Sequence, residues 1–227
     1  VFCLFLYHSI GRVRLQVKVL TAAPGSSVFG NGTHRPLKAG MDIANGDIIK
    51  TGGADGTIIG YVGEHTVIEL FESTQVEFST EKGEKRMMLA KGRIRCKVAP
   101  QPSGTCMIVT TPHAEIRIKG TEFTLTAFKD STKLEVVEGS VELIRRVDLS
   151  SIEVQAGHYV VASPSTKLIP VPIKTARGWT ELIPEAFSLK EAGWKHDIPN
   201  EKFQKGFKLQ DNRLEKAMTH RMVRIEK

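Results

Sequence analysis

Apolar and polar residues alternate along much of this chain with a period of two, the signature of strands with one buried and one wet face. The clearest run is Thr111 to Leu143, TPHAEIRIKGTEFTLTAFKDSTKLEVVEGSVEL. Ala114, Ile116 and Ile118 fall on one side, and Glu115, Arg117 and Lys119 on the other. A turn at Gly120-Thr121 sets Ile118 opposite Phe123, Ile116 opposite Leu125 and Ala114 opposite Ala127, with Lys119 beside Glu122 on the wet face. Every pair is then of matched type, which a one-residue slip would destroy. The device recurs at Glu138-Gly139, where Leu134 faces Leu143 and Val136 faces Val141. This predicts an antiparallel meander, with Gly120 and Gly139 as turn glycines at positive φ.

The same period organises the rest of the body. Val13 to Leu20 alternates and predicts a strand, and Gly30-Asn31-Gly32 predicts a hairpin turn. From Gly46 to Phe78, Ile48-Ile49, Ile58-Ile59, Val67-Ile68, Val76 and Phe78 recur between glycines, as in a sandwich, barrel or coiled β arrangement. Glu81 to Arg86 reads as a charged, solvated loop. Arg93 to Val98 and Cys106 to Thr110 flank the proline-rich Ala99 to Thr105 and predict a further hairpin. Beyond Pro170-Val171-Pro172 the alternation fails, and Leu214, Met218 and Met222 recur every four residues. The expectation is an all-β fold, a meander, sandwich or coiled β arrangement over 13–172, with a short, partly helical or disordered tail over 173–227. Val1 to Tyr7 is dense in apolar residues but shorter than the roughly 20 a spanning helix needs. Residues 1–12 read either as the remnant of a signal or membrane segment or as a first strand.

The run TPHAEIRIKGTEF followed by VVEGSVEL resembles the FecR family, the iron-dicitrate transport regulators and related bacterial proteins. GDIIKTGGADGTIIGYVGEHTVIEL, Gly46 to Leu70, is similar to that family's earlier segment, a GD–TG turn followed by two short strands. The resemblance spans roughly Val13 to Ala162. It implies an extracytoplasmic domain, periplasmic and tied to the inner membrane through an N-terminal segment. It also implies a protein partner in the envelope and a relay from a receptor to a sigma factor. A cell-envelope structural or carbohydrate-binding module of the same fold is the alternative.

Composition narrows the chemistry. With 41% hydrophobic residues the chain of 227 can bury a real core. The net charge of +7 is spread, and the tail after Pro172 holds 12 basic against 8 acidic residues. Aromatics are only 7% and do not interleave with the basic residues, which argues against nucleic-acid binding. Gly52-Gly53 and Gly56 lack the Gly-Lys-Ser/Thr of a phosphate loop. The seven histidines, His65 and His113 beside strands among them, form no metal-like spacing with Cys, Asp or Glu. Glu135 and Glu142 would face one another in the second hairpin, the one carboxylate pair worth weighing for glycoside hydrolysis, but on a wet face near Lys133 and Arg145. No nucleophile elbow or triad is visible. The reading is of a binding protein with no catalytic residues, cofactor or metal. One covalent feature is expected: a hairpin centred on Gln101 sets Cys96 opposite Cys106, within reach of a disulfide in an oxidising compartment.

Overall fold

The computed structural model describes residues 16–53 and 56–173, and every regular element among them is a strand. In chain order these are β1 (Val17–Thr21), β2 (Ser27–Gly30), β3 (Thr33–Pro36), β4 (Asp42–Ile43), β5 (Ile48–Lys50), β6 (Thr57–Tyr61), β7 (Val67–Leu70), β8 (Gln75–Glu81) and β9 (Glu84–Lys97). They continue as β10 (Met107–Thr110), β11 (Ala114–Ile118), β12 (Glu122–Ala127), β13 (Thr132–Glu138), β14 (Ser140–Arg145), β15 (Ser151–Gln155), β16 (His158–Ala162) and β17 (Val171–Pro172). The all-β expectation is borne out. The tail expected to be partly helical, and the apolar N-terminal run, lie outside the described residues.

Hydrogen bonding divides the strands into two layers joined along β9. The first sheet runs β4-β1-β6-β7-β9-β12-β13-β16-β17. The second runs β3-β2-β5-β8-β9-β10-β11-β14-β15. All pairings are antiparallel except β9 with β10. The 14-residue β9 serves both layers, Glu84 to Lys91 in the second sheet and Gly92 to Lys97 in the first. Its bend falls at Gly92, φ 98°, where a Cβ would stand 2.4 Å from Thr74 Oγ1. That hydroxyl sits within 3.0 Å of both the N–H and the C=O of Arg93, fixing the bend.

The core lies between the layers and follows from the alternation. Across the first sheet Leu70, Ile94, Leu125, Leu134 and Val160 stand in one register row, all fully buried. Across the second, Met107, Ile118, Val141 and Val154 do the same. Burying such side chains stabilises by about 1.5–3 kcal/mol each, before the loss of chain entropy is counted. Buried hydroxyls fasten the layers in pairs, Thr111 Oγ1 to Thr132 Oγ1 at 2.7 Å and Ser26 Oγ to Thr57 Oγ1 at 3.3 Å.

The hairpins are not where the shortest turns suggested. Ile118 does not pair with Phe123: β11 lies in the second sheet and β12 in the first. Leu134 likewise does not pair with Leu143, since β13 and β14 occupy different layers. Gly120-Thr121 and Glu138-Gly139 are crossings from one sheet to the other. The true hairpins turn at the polar breaks, Thr111 to His113, Phe128 to Ser131 and Arg146 to Ser150. The physical reason is parity: two runs that bury alternate residues satisfy the core equally well side by side or face to face across it. Glu81 to Arg86 is not a loop either. The strands β8 and β9 continue to a two-residue turn at Lys82 (φ 50°) and Gly83 (φ 86°), the paired positive φ of a type I′ hairpin. Asn31 (φ 50°) and Gly32 (φ 73°) form the expected turn of the same kind between β2 and β3.

Candidate functional site

The crossings stack at one end of the sandwich. Gly120 has φ 151°, and a Cβ there would lie 2.9 Å from Pro100 Cα. Gly139 has φ 80°, and its Cβ would lie 2.8 Å from Thr121 Cγ2 and 3.1 Å from the Gly120 carbonyl oxygen. The next crossing follows directly, with Ala156 N–H donating to the Gly139 carbonyl at 2.9 Å. Glycine is required where chain segments cross so closely and φ is positive.

Beside this stack, on the outer face of the second sheet, lies an open groove of about 1070 Å³. Its walls are the Gln101–Cys106 loop and the outward residues of the last three strands of that sheet. Register places Arg117, Glu142 and Glu153 in one row across β11, β14 and β15. Arg117 donates to Glu115 at 2.9 Å and reaches Glu142 at 3.9 Å, and its guanidinium is held more firmly protonated by the Glu115 bond above all. Ser140 Oγ donates to Glu153 Oε1 at 2.7 Å. The loop is tied down by Gln101 N–H to the Lys119 carbonyl, 2.7 Å, and by Lys85, which bonds Gln101 Oε1 at 2.8 Å and also Glu64.

The groove gathers three of the four residues marked in the sequence, Cys106, Gly120 and Gly139. Cys96 is elsewhere. It sits in the core between Ile68 of β7 and Phe123 of β12, fully buried, and its thiol is pushed strongly up by that burial. Both cysteines are free, which corrects the disulfide expectation. The anticipated hairpin does not form, because β10 runs parallel to the first half of β9 and Cys96 belongs to the second half. Cys106 is partly buried; burial and Glu84 raise its pKa against the pull of Arg117 and Arg86, so it is kept a thiol and a poor nucleophile. The two carboxylates weighed as a pair also part, Glu135 to the first sheet beside Lys133 at 2.9 Å and Glu142 to the second. His113 bonds the Lys129 carbonyl through Nε2 at 3.0 Å, and His158 bonds the Ala156 carbonyl through Nδ1 at 3.1 Å. Among the described residues no three His, Cys, Asp or Glu side chains converge as a metal site would need.

The outer face of the first sheet carries what sequence reasoning missed. Glu69, Arg95, Thr124, Glu135 and Tyr159 form one register row across it. Glu69 and Glu122 are each only 6% exposed. Burial raises the Glu69 carboxyl while Arg95 and Arg93 oppose it. The same burial lowers Arg95, against the attraction of Glu69 and Glu122. A glutamate inside the apolar run Val67–Leu70 was the available signal. The face as a whole is braced charge against charge, whereas the groove face holds exposed charges and free volume.

Residues 47–142 match the model of the FecR protein family. Over that stretch the chain is FecR-like. The resemblance read from the GD–TG, GT-x-F and EG-x-V elements is thereby borne out. The match opens at Asp47, a buried carboxylate accepting the Ala44 N–H at 3.0 Å, and closes in β14 at Glu142 on the groove. Two crystal structures, at 2.50 and 1.65 Å, of a "putative anti-sigma factor" from Parabacteroides distasonis ATCC 8503 are also similar to the chain. Each is 17% identical, with 55% of this chain and 59% of that one aligned and a TM-score of 0.48. The chain thus spans under two thirds of the length of that protein. No curated protein matches it. Among the described residues no helix is long and apolar enough to cross a membrane.

Proposed function

We propose that this FecR domain is a regulatory binding module of the bacterial cell envelope that senses or relays a protein partner without catalysis. The observation that carries this reading is the family match over 47–142, which spans both layers and ends on the groove. The chemistry agrees with it: the groove offers alternating charges and hydroxyls on rigid strands, and its one sulfur is held protonated. Such a surface recognises a partner and holds it. In its finer form the proposal places the domain outside the cytoplasm, anchored to the inner membrane through an upstream segment, and acting on a sigma factor. Neither nucleic acid nor a cofactor has a part in it.

The test is cross-linked retrieval from envelope extracts with Val1–Lys227, set beside the same chain ending at Pro172, with sigma-factor-dependent transcription measured when either is expressed outside the cytoplasm. A discrete protein partner and altered transcription are the expected result. Retention of the partner by the shorter chain assigns contact to the β body. Polysaccharide retrieved in place of protein, with transcription unmoved, would establish the alternative, a structural or carbohydrate-binding module.

A further inference from the structure

Among the described residues the two sheets end on four edges, and three of them are blunted. The edge strand β3 closes on Pro36, β4 has only two residues, and β17 has two and ends on Pro172. Short strands and prolines are the ordinary means by which sheets avoid taking up another chain. The fourth edge, β15, has five residues, Ser151–Gln155, with neither proline nor lysine. Among the described residues it pairs with β14 alone.

Which groups face the open side follows from the ladder. At its two ends Arg145 N–H donates to the Ser150 carbonyl at 2.8 Å and Ala156 N–H to the Gly139 carbonyl at 2.9 Å. The even steps between, Leu143 with Ile152 and Val141 with Val154, are therefore the hydrogen-bonded pairs. The N–H and C=O groups of Ser151, Glu153 and Gln155 point away from β14, and all three residues are exposed. Side chains alternate with them. Val154 is fully buried and Ile152 packs on the core, while Glu153 stands outward. Beyond Glu153 in its row is another acid, Glu142, and the nearest cation of that row, Arg117, is engaged at 2.9 Å with Glu115 and reaches Glu142 only at 3.9 Å.

We infer that β15 is a docking edge for an extended peptide strand of a protein partner, with a lysine or arginine opposite Glu153 between two β-branched apolar residues. Main-chain bonds to Ser151, Glu153 and Gln155 supply the attachment. The apolar pair extends the core rows beside Ile152 and Val154, and the cation relieves the two facing acids. Pairing of β15 with a second copy of itself about Glu153 would oppose like charges and is disfavoured. The inference rests on the binding-module reading and names the chemistry of its partner.

The probes are the capped peptides TVKVT and TVEVT, titrated into the isotope-labelled full chain with amide shifts as the readout. TVKVT is expected to move the Ser151, Glu153 and Gln155 amides and to bind about two- to fivefold tighter than TVEVT. Ser151→Pro removes an outward N–H and no β14 bond, so it should abolish binding while the β14 shifts persist. Glu153→Lys, which leaves the main chain intact, should invert the peptide preference. Equal binding of both peptides, shifts confined to other strands, no binding, or self-pairing of the chain through 151–155 would each overturn the inference. Peptide binding at this edge without retrieval of an envelope protein would leave it standing and remove the signalling reading. A partner held through another surface would do the reverse.

Discussion

The outer faces of the two sheets are built from the same alternating strands and end in opposite states. On the first, Glu69 and Glu122 are sunk almost out of solvent, and both attract Arg95. On the second, Arg117, Glu142 and Glu153 are exposed beside an open groove and an open edge. Buried charges that must satisfy one another fix a surface and resist exchange of partners. Exposed charges in loose contact contribute little to stability and remain available. The difference separates a face that stabilises the domain from one that can be used.

Because β9 belongs to both layers, the sharpest way to break the comparison is to break its bend. Gly92→Val places a β-branched side chain at φ 98° and its Cβ within 2.8 Å of Thr74 Oγ1, Cα and Cβ, two of them atoms that no rotamer change can move away. The expected loss is about 4 kcal/mol, near the top of the range for single substitutions. Urea unfolding checks it, and a loss below about 1 kcal/mol would mean the two layers are not held by that bend.

The crossings come next. Gly120→Val should cost about 3 kcal/mol, because φ 151° is closed to valine and the clash at 2.9 Å is with Pro100 backbone. Gly139→Asn should cost about 1 kcal/mol, since asparagine tolerates φ 80° and the nearest obstruction is the Thr121 methyl, with the Gly120 carbonyl oxygen a milder one at 3.1 Å. If the asparagine variant proves the less stable of the two, the stacking of crossings is misassigned.

These glycines also mark the limit of what the sequence could say. Positive φ at both was legible, since short polar-flanked glycines between alternating runs need it. The strands and their inward residues were legible too: Ile116, Ile118, Phe123, Leu125, Leu134, Val136, Val141 and Leu143 are all in the core. Which strand each one neighbours was not. Alternation fixes the face a side chain takes and is silent on whether the next strand lies beside it or across the core. The Cys96–Cys106 expectation failed through the same gap, because a hairpin was assumed where the chain changes layers. Burial of Glu122 was hidden for a further reason, and that of Glu69 was hinted at only by its place in an apolar run: desolvation of an outward residue depends on its row neighbours, which register supplies.

Cutting one cation from each face measures the contrast itself. Arg95→Ala leaves Glu69 and Glu122 facing a partly buried gap, and a loss of about 2 kcal/mol is expected after allowance for the solvent that reaches the site. Arg117→Ala removes an exposed pair and should cost under about 0.5 kcal/mol. Salt should matter in the opposite order of magnitude: 1 M NaCl screens the Arg117 pairs and leaves the buried row nearly untouched. Equal losses in the two variants would erase the distinction between the faces.

The smallest effect is the most specific. Burial raises the Glu69 carboxyl above its unfolded value, so the folded chain holds that proton more tightly than the unfolded one. Stability contributed by the neutral form is fully present below the unfolded glutamate pKa, about 4.3, and declines as pH rises toward the folded value. This is opposite to a carboxylate lowered by its ion pair. Glu69→Gln removes the titration while keeping the shape and one donor for the face. Relative to that variant, the wild-type chain should gain stability as pH falls from neutrality to about 4, by a fraction of a kcal/mol to about 1. Urea titrations of both proteins between these limits read it directly. A difference that stays flat with pH would mean Arg95 holds Glu69 ionised at its ordinary value. A wild-type chain that instead loses stability on acidification relative to Glu69→Gln would mean that attraction to Arg95 and Arg93 outweighs burial at Glu69.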